Sequence, residues 1–280
     1  MKKYLSLIKF SHTVFAMPFA LIGFFLAINK DNILWIKLLL IILCMIFARS
    51  AAMAFNRFID RDIDQKNNRT SKVREIPNGT IKPKSALIFV IINSIFFVLT
   101  CYYINTICLL LSPVALLIIL GYSYTKRFTV LCHLILGIGL SLAPLGAYLA
   151  VKGEFSLTPI LFSIAVLFWV SGFDIIYSLQ DQDFDKNQNL FSIPVLIGKK
   201  KSLQLSIVFH LICVSVLFFI GLNSIFGFFY WVGLGVFSCL LFYQHTIVNE
   251  HDLSRVNLAF FTTNGIASIV FAAFVILELF

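Results

Sequence analysis

Residues 33–64 read ILWIKLLLIILCMIFARSAAMAFNRFIDRDID. The first part, 33–55, carries only two charges, Lys37 and Arg49, and is long enough to cross a hydrocarbon core as a helix. The chain then changes character within one turn. Asn56-Arg57-Phe58-Ile59-Asp60-Arg61-Asp62-Ile63-Asp64 is dense in charge. A membrane helix that ends in aspartates at the water edge sets the pattern for the rest of the chain.

The same pattern recurs once. An apolar run over 157–179 ends in Asp174-Ile175-Ile176-Tyr177-Ser178-Leu179-Gln180-Asp181-Gln182-Asp183-Phe184-Asp185. Across all 280 residues, 60% are hydrophobic and only 12% are charged. A soluble domain carries roughly 25% charged residues, so a water-soluble enzyme, a disordered chain and a coiled coil are excluded. The expected fold class is all-α, a polytopic membrane bundle of nine transmembrane helices forming a single domain over 1–280. The predicted spans are about 10–28, 33–55, 86–105, 106–124, 130–151, 157–179, 203–222, 225–243 and 258–277. The basic, apolar N-terminus is read as an uncleaved first span and not as a signal peptide.

Basic residues orient the bundle. With the N-terminus inside, 18 Lys and Arg fall in cytoplasmic segments and 3 in outer loops, with Arg49 inside a span. Merging or losing one span would swap the later loops and destroy that asymmetry. The net charge of +9 is therefore a topological signal and needs no nucleic-acid partner. The six cysteines form no CxxC pair and the five histidines no HxxxH or HExxH pair, so a zinc site is not expected.

Helical phase sorts the acids. At about 100° per residue, Asn56, Asp60 and Asp64 fall within an arc of about 80°. Asp174, Asp181 and Asp185 fall within about 40°, with Tyr177 about 60° from Asp174, while Asp62 and Asp183 point elsewhere. Like charges stacked this way destabilise a helix, and a carboxylate at a membrane edge is costly. Cationic charge must sit between the two faces. Mg²⁺, which takes carboxylate oxygens together with substrate phosphates, is the cheapest candidate. Arg69, Lys72, Arg74, Lys82 and Lys84, and beyond span four Lys126 and Arg127, suit phosphate oxygens.

These residues resemble the UbiA superfamily of intramembrane aromatic prenyltransferases, including its 4-hydroxybenzoate polyprenyltransferases. Asn56-x-x-x-Asp60-x-x-x-Asp64 is similar to its first aspartate-rich motif, and Asp174-x-x-Tyr177-x-x-x-Asp181-x-x-x-Asp185 to its second. Arg69 to Gly79 resembles the loop after the first motif, and Tyr122-x-Tyr124-x-Lys126-Arg127-x-Thr129 the segment between spans four and five. Ser11 to Ala16 and Asp252 to Asn257 extend the likeness toward both ends. One departure stands out: the family's Arg-Pro pair is Arg74-Glu75 here, with Pro77 later.

The resemblance implies a laterally open cavity in which two Mg²⁺ ions hold a polyprenyl diphosphate between the motifs. It also implies transfer of the prenyl group to an aromatic acid, with 4-hydroxybenzoate expected in quinone biosynthesis and a dihydroxynaphthoate acid in menaquinone biosynthesis as the alternative. On this likeness Asn56, Asp60, Asp64, Asp181 and Asp185 bind metal. Arg69, Arg74 and Lys126 hold diphosphate or acceptor. Asp174, Tyr177 and Arg127 serve the chemistry, Asp174 as general base or as support to a metal ligand. His12 is read as a satisfied membrane histidine. The implied location is a bacterial cytoplasmic (inner) membrane. A cation-coupled transporter is the competing class, but both acidic clusters lie at one membrane edge and not at the midplane.

The charge asymmetry generates a direct expectation. Reporter fusions should place the loops 65–84 and 186–202 in the cytoplasm, and Met1 and Phe280 on opposite sides of the membrane. Both termini on one side would defeat the nine-span count.

Overall fold

The computed structural model describes residues 2–8, 15–28, 34–224 and 226–280. Among them every regular element is helical. After a six-residue α1 (Lys2–Leu7) come α2 (Met17–Ala27), α3 (Trp35–Ile59) and the short α4 (Arg61–Lys66). Then follow α5 (Pro83–Ile104), α6 (Thr106–Thr125), α7 (Cys132–Lys152) and α8 (Leu157–Ser178). The chain ends with α9 (Gln182–Asn187), α10 (Ile193–Asn223), α11 (Phe228–Ile247) and α12 (Asn264–Leu279).

Eight helical segments among the described residues are long and apolar enough to cross a membrane, and α2 is a shorter apolar helix of 11 residues. The chain is a multi-pass integral membrane protein. His12 and most of Ser11 to Ala16 lie outside the described residues, so the first span is seen only from Phe15 onward.

The polar dip between the third and fourth predicted spans makes a tight turn. Asn105 caps α6 by accepting from Cys108 N at 2.8 Å, and its Nδ2 donates to Leu149 O at 2.8 Å on α7. At the other uncertain junction, α10 ends at Asn223 and α11 starts at Phe228. There Glu278 of α12 reaches over, accepting from Phe229 N at 2.8 Å and Tyr230 N at 3.3 Å. Such a carboxylate satisfies first-turn amides that would otherwise face lipid.

The prediction fails at the start of span seven. It begins at about 203, whereas helix extends inward to Ile193, with a break at Gly198 (φ 78°, ψ 167°). Three lysines, Lys199 to Lys201, conceal this extension in hydropathy. They sit in the first turn after the break, where a charged stem still reaches water.

The core centres on α8. Phe162, Val166, Trp169, Val170 and Phe173 are all at most 2% exposed, and α7 and α10 flank this helix. Elsewhere α3 packs on α5, α11 on α12 and α2 on α7. Lipid supplies no hydrophobic drive between helices, so close backbone approach matters. Gly172 lies under the His210 ring, and Gly23 lies against the Pro144 carbonyl where a Cβ has no room.

A residue larger than glycine at 23 must push α2 off α7. Gly23→Leu should cost about 1–3 kcal/mol. Thermal unfolding in detergent should show a lowered melting temperature; an unchanged one would mean that the helices slide freely.

Candidate active site

Both aspartate-rich segments sit where a long helix gives way to a short one. α3 ends at Ile59, Asp60 leaves helical geometry (φ −86°, ψ 4°), and α4 resumes at Arg61. The i to i+4 ladder nevertheless survives the break. Asp60 N donates to Asn56 O at 2.9 Å, and Asp64 N to Asp60 O at 2.8 Å. The predicted face of Asn56, Asp60 and Asp64 is thereby kept, and Asn56 Nδ2 donates to Asp60 Oδ2 at 3.0 Å. Asp60 and Asp64 are 1% and 3% exposed, whereas the side chain of Asp62 is 73% exposed beside Arg61.

The second segment departs further from ideal phase. Between α8 and α9 the residues Leu179–Asp181 form a 3₁₀ turn, which is tighter than the α-helix assumed from sequence. Asp174 stands seven residues before Asp181, about two turns away along the helix. It lies deeper, on α8, against His133. Asp181 and Asp185 are half-buried at the edge, and Asp183 is exposed as expected.

Asp60, Asp64 and Asp181 each have a cationic partner. Lys126 Nζ lies 2.9 Å from Asp60 Oδ2 and Arg127 Nη2 lies 3.3 Å from Oδ1. Arg127 also donates to Ile59 O at 2.7 Å. Arg74 pairs with Asp64, and Arg69 pairs with Asp181 through two of its nitrogens. Arg69 Nη1 further donates to Tyr177 Oη at 3.1 Å, with the guanidinium 5.3 Å from that ring's centre. Burial opposes the Arg69 charge, yet Asp181 and Tyr177 outweigh it and hold its pKa above the ordinary arginine value. All four predicted basic residues thus meet the acids. Asp185 makes no ion pair among the described residues but lies within electrostatic reach of Lys126 and Arg69.

The loop 67–82 is the clamp. Thr70 Oγ1 donates to Asp64 O at 2.9 Å, and Asn67 Nδ2 to Asp181 Oδ1 at 3.2 Å. One loop therefore touches both acidic segments. Glu75, where the sequence departs from the family pattern, is buried and accepts from Ser6 Oγ of α1. Lys72, Lys82 and Lys84 form no salt bridge among the described residues.

Behind the charged centre lies a cavity of about 380 Å³ walled by α3, α5, α6 and α7. Its lining is apolar except for a few groups, chiefly Arg49, Ser112 and Tyr122. On α6 it extends from Cys108 to Tyr122, a depth of about 21 Å at 1.5 Å per residue. Tyr122 marks the junction, within electrostatic reach of Arg49, Arg57, Asp60 and Asp174.

Sequence reasoning missed three residues here. Arg49 was visible as an intramembrane charge, which is a functional candidate by default. Asn67 carries no local signal. His133 was set aside with the other histidines for want of metal-ligand spacing.

Among the described residues no three His, Cys, Asp or Glu side chains converge closely enough to hold a metal ion in the present arrangement. The donor set still suits Mg²⁺. It consists of carboxylates with a neighbouring amide oxygen, the hard oxygen donors that Mg²⁺ takes, and the one imidazole described beside them, His133, is engaged by Asp174. The acids' charge is balanced here by mobile-stemmed Lys and Arg, which a metal and an anionic ligand could replace as a pair.

A family model described as the UbiA prenyltransferase family matches residues 16–266. The chain is 28% identical to a 4-hydroxybenzoate octaprenyltransferase of Aliivibrio salmonicida, over 85% of this chain and 83% of that one. It is 31% identical to the enzyme of that name from Blochmanniella floridana, over 84% and 82%. The apo structure of a UbiA homologue from Aeropyrum pernix superposes with a TM-score of 0.85 at 31% identity, covering 96% of this chain and 98% of that one. A UbiA homologue from Archaeoglobus fulgidus bound to DMAPP and Mg²⁺ superposes at 0.77 with 22% identity, covering 99% of each chain.

If the paired acids exchange their basic partners for metal, the bound ion should stabilise the fold by mass action, about 2.7 kcal/mol at a hundred times Kd. Mg²⁺ with inorganic diphosphate should raise the melting temperature of the native protein and of Asp62→Asn and Asp183→Asn. Asp64→Asn and Asp181→Asn should lose most of that rise. An equal rise in all five proteins would return the clusters to diffuse electrostatics.

Proposed function

The chain belongs to the UbiA prenyltransferase family, and on that premise we propose that it transfers a polyprenyl group from an isoprenoid diphosphate to 4-hydroxybenzoate in quinone biosynthesis. Transfer of a prenyl group is the family's reaction, and the relatives bearing the name 4-hydroxybenzoate octaprenyltransferase cover most of the chain. The observation that carries the reading is the placement of two acidic helix ends and four basic side chains at the mouth of a deep apolar cavity. A transporter needs an ion site along a pathway, whereas here the charge closes one end of a greasy pocket. No observation favours a dihydroxynaphthoate acceptor over 4-hydroxybenzoate.

Roles follow from position. Asp60 and Asp64 from one side, and Asp181 and Asp185 from the other, would hold Mg²⁺, two ions on this reading, with Asn56 assisting at the first pair. Bound Mg²⁺ screens the diphosphate charge and stabilises it as a leaving group. Lys126, Arg127, Arg69 and Arg74 turn from the carboxylates to the diphosphate oxygens, to which guanidinium and ammonium groups are well matched. The allylic C–O bond breaks and its electron pair leaves with the diphosphate. The carbocation is attacked by the ring carbon beside the acceptor hydroxyl. Tyr177 offers its ring face to the cation. Asp174, deeper than the metal ligands, takes the ring proton. The apolar walls keep water from the cation, and the 21 Å depth on α6 suits a long tail.

The acceptor's carboxylate needs a partner inside this cavity. Arg49 lines it, and its buried Nε has no hydrogen-bond partner. We assign the carboxylate to Arg49. Removing one member of a buried charge pair costs about 2–5 kcal/mol, so Arg49→Leu should raise the acceptor KM by at least roughly 30-fold. KM for the prenyl diphosphate should hardly change.

The whole reading rests on one assay. Purified protein in lipid nanodiscs, with Mg²⁺, a long prenyl diphosphate and a panel of aromatic acids, should yield prenylated 4-hydroxybenzoate by mass. Chelator should abolish turnover. Asp→Asn at 60, 64, 181 or 185 should cut it by orders of magnitude, while the same change at 62 or 183 should cost far less. Full turnover in excess chelator, or prenylation of a different ring only, would overturn the assignment.

A further inference from the structure

His133 stands in the first turn of α7 and is 3% exposed. An imidazole buried at a membrane edge is costly and needs both nitrogens satisfied. One of them faces α8, where Nδ1 lies 2.7 Å from Asp174 Oδ2. The other faces α10, where Nε2 accepts the backbone N–H of Ile193 at 3.4 Å. That amide belongs to the first turn of α10 and has no carbonyl within its own helix.

These two contacts fix the tautomer. A nitrogen that accepts a hydrogen bond carries no proton, so the ring's proton is on Nδ1 and points at Asp174. Three helices therefore hold one imidazole in one orientation, and the imidazole holds one carboxylate. Among the described residues no donor reaches Asp174 Oδ1. The side chain of Asp174 keeps 19% of its surface exposed, and it lies within electrostatic reach of Tyr122 at the cavity's charged end.

We propose that His133 is the positioning residue for Asp174, clamping Oδ2 so that Oδ1 is presented to the reacting ring. This rests on the reading of Asp174 as the proton acceptor. After the new C–C bond forms, the C–H bond at the alkylated carbon breaks, its electron pair restores the aromatic ring, and the proton goes to Oδ1. Asp174 becomes a neutral acid, which gives up the proton when product leaves. His133 keeps its own proton throughout. Its contribution is to remove rotational freedom from the carboxylate, and a misplacement of about 1 Å in a reacting group costs about 100-fold.

The test compares variants of the full-length enzyme in nanodiscs, using acceptor with hydrogen or deuterium at the alkylated ring carbon. His133→Leu should lower kcat by about 100-fold, leave KM for the prenyl diphosphate unchanged, and raise the isotope effect above that of the native enzyme. His133→Asn, whose Nδ2 overlays the imidazole Nδ1, should restore most of kcat and the native isotope effect. His133→Gln, whose amide reaches the Nε2 position, should behave like His133→Leu and stands in for it if the leucine variant does not fold.

Equal kcat in the Asn and Gln variants at equal melting temperature would overturn the positioning role. So would a kcat loss without a larger isotope effect. Asp174→Asn separates the two ideas. If it keeps native turnover, the proton-acceptor reading falls. If it is inactive while His133→Gln is normal, only the inference about His133 falls.

Discussion

Everything in this protein follows from the cost of holding carboxylates at the edge of a low-dielectric slab. Asp60 and Asp64 are almost fully buried, and a carboxylate buried there is costly without a partner. The fold answers with four cations delivered from two places. The loop 67–82 brings Arg69 and Arg74, and the segment after α6 brings Lys126 and Arg127. Those pairings tie α3, α4, α6 and α8 together at one end of the bundle. The site and the inner closure of the fold are the same set of contacts.

The pairings also explain how a charged site stays ready for a charged substrate. A buried ion pair adds little net stability, because desolvation consumes most of the attraction. Exchanging it for a metal–diphosphate pair preserves local neutrality, and the side chains involved are long and half-exposed. The backbone anchors need not move for this. Thr70 to Asp64 O and Phe191 N to Lys126 O fix the loops by hydrogen bonds that leave the carboxylates alone.

Depth divides the labour among the acids. Asp181 and Asp185 lie at the edge, Asp64 is covered by the clamp loop and Asp60 by Lys126 and Arg127, and Asp174 lies a turn and more further in on α8. The seven-residue spacing of Asp174 and Asp181 makes that separation, since it spans about 10 Å along the helix. On the proposed reading, the carboxylate held by a histidine serves proton chemistry, and the carboxylates at the two helix ends serve the metal.

Much of this was legible in the chain itself. Apolar length gave the helical bundle, because span length is a local property set by the bilayer. Spacing gave the inward faces of Asn56, Asp60 and Asp64 and the outward positions of Asp62 and Asp183, because four-residue periodicity survived even the break at Asp60. Arg69, Arg74, Lys126 and Arg127 were nameable by type. Only tertiary structure decided which cation meets which acid, since Arg69 finds Asp181 across 112 residues and bypasses the nearer Asp64. It also put a 3₁₀ turn between Asp174 and Asp181, where the spacing had suggested continuous α-helix. It brought His133 to Asp174 and Arg49 to the cavity, since a single ionisable residue in an apolar helix does not reveal what the neighbouring helices present to it.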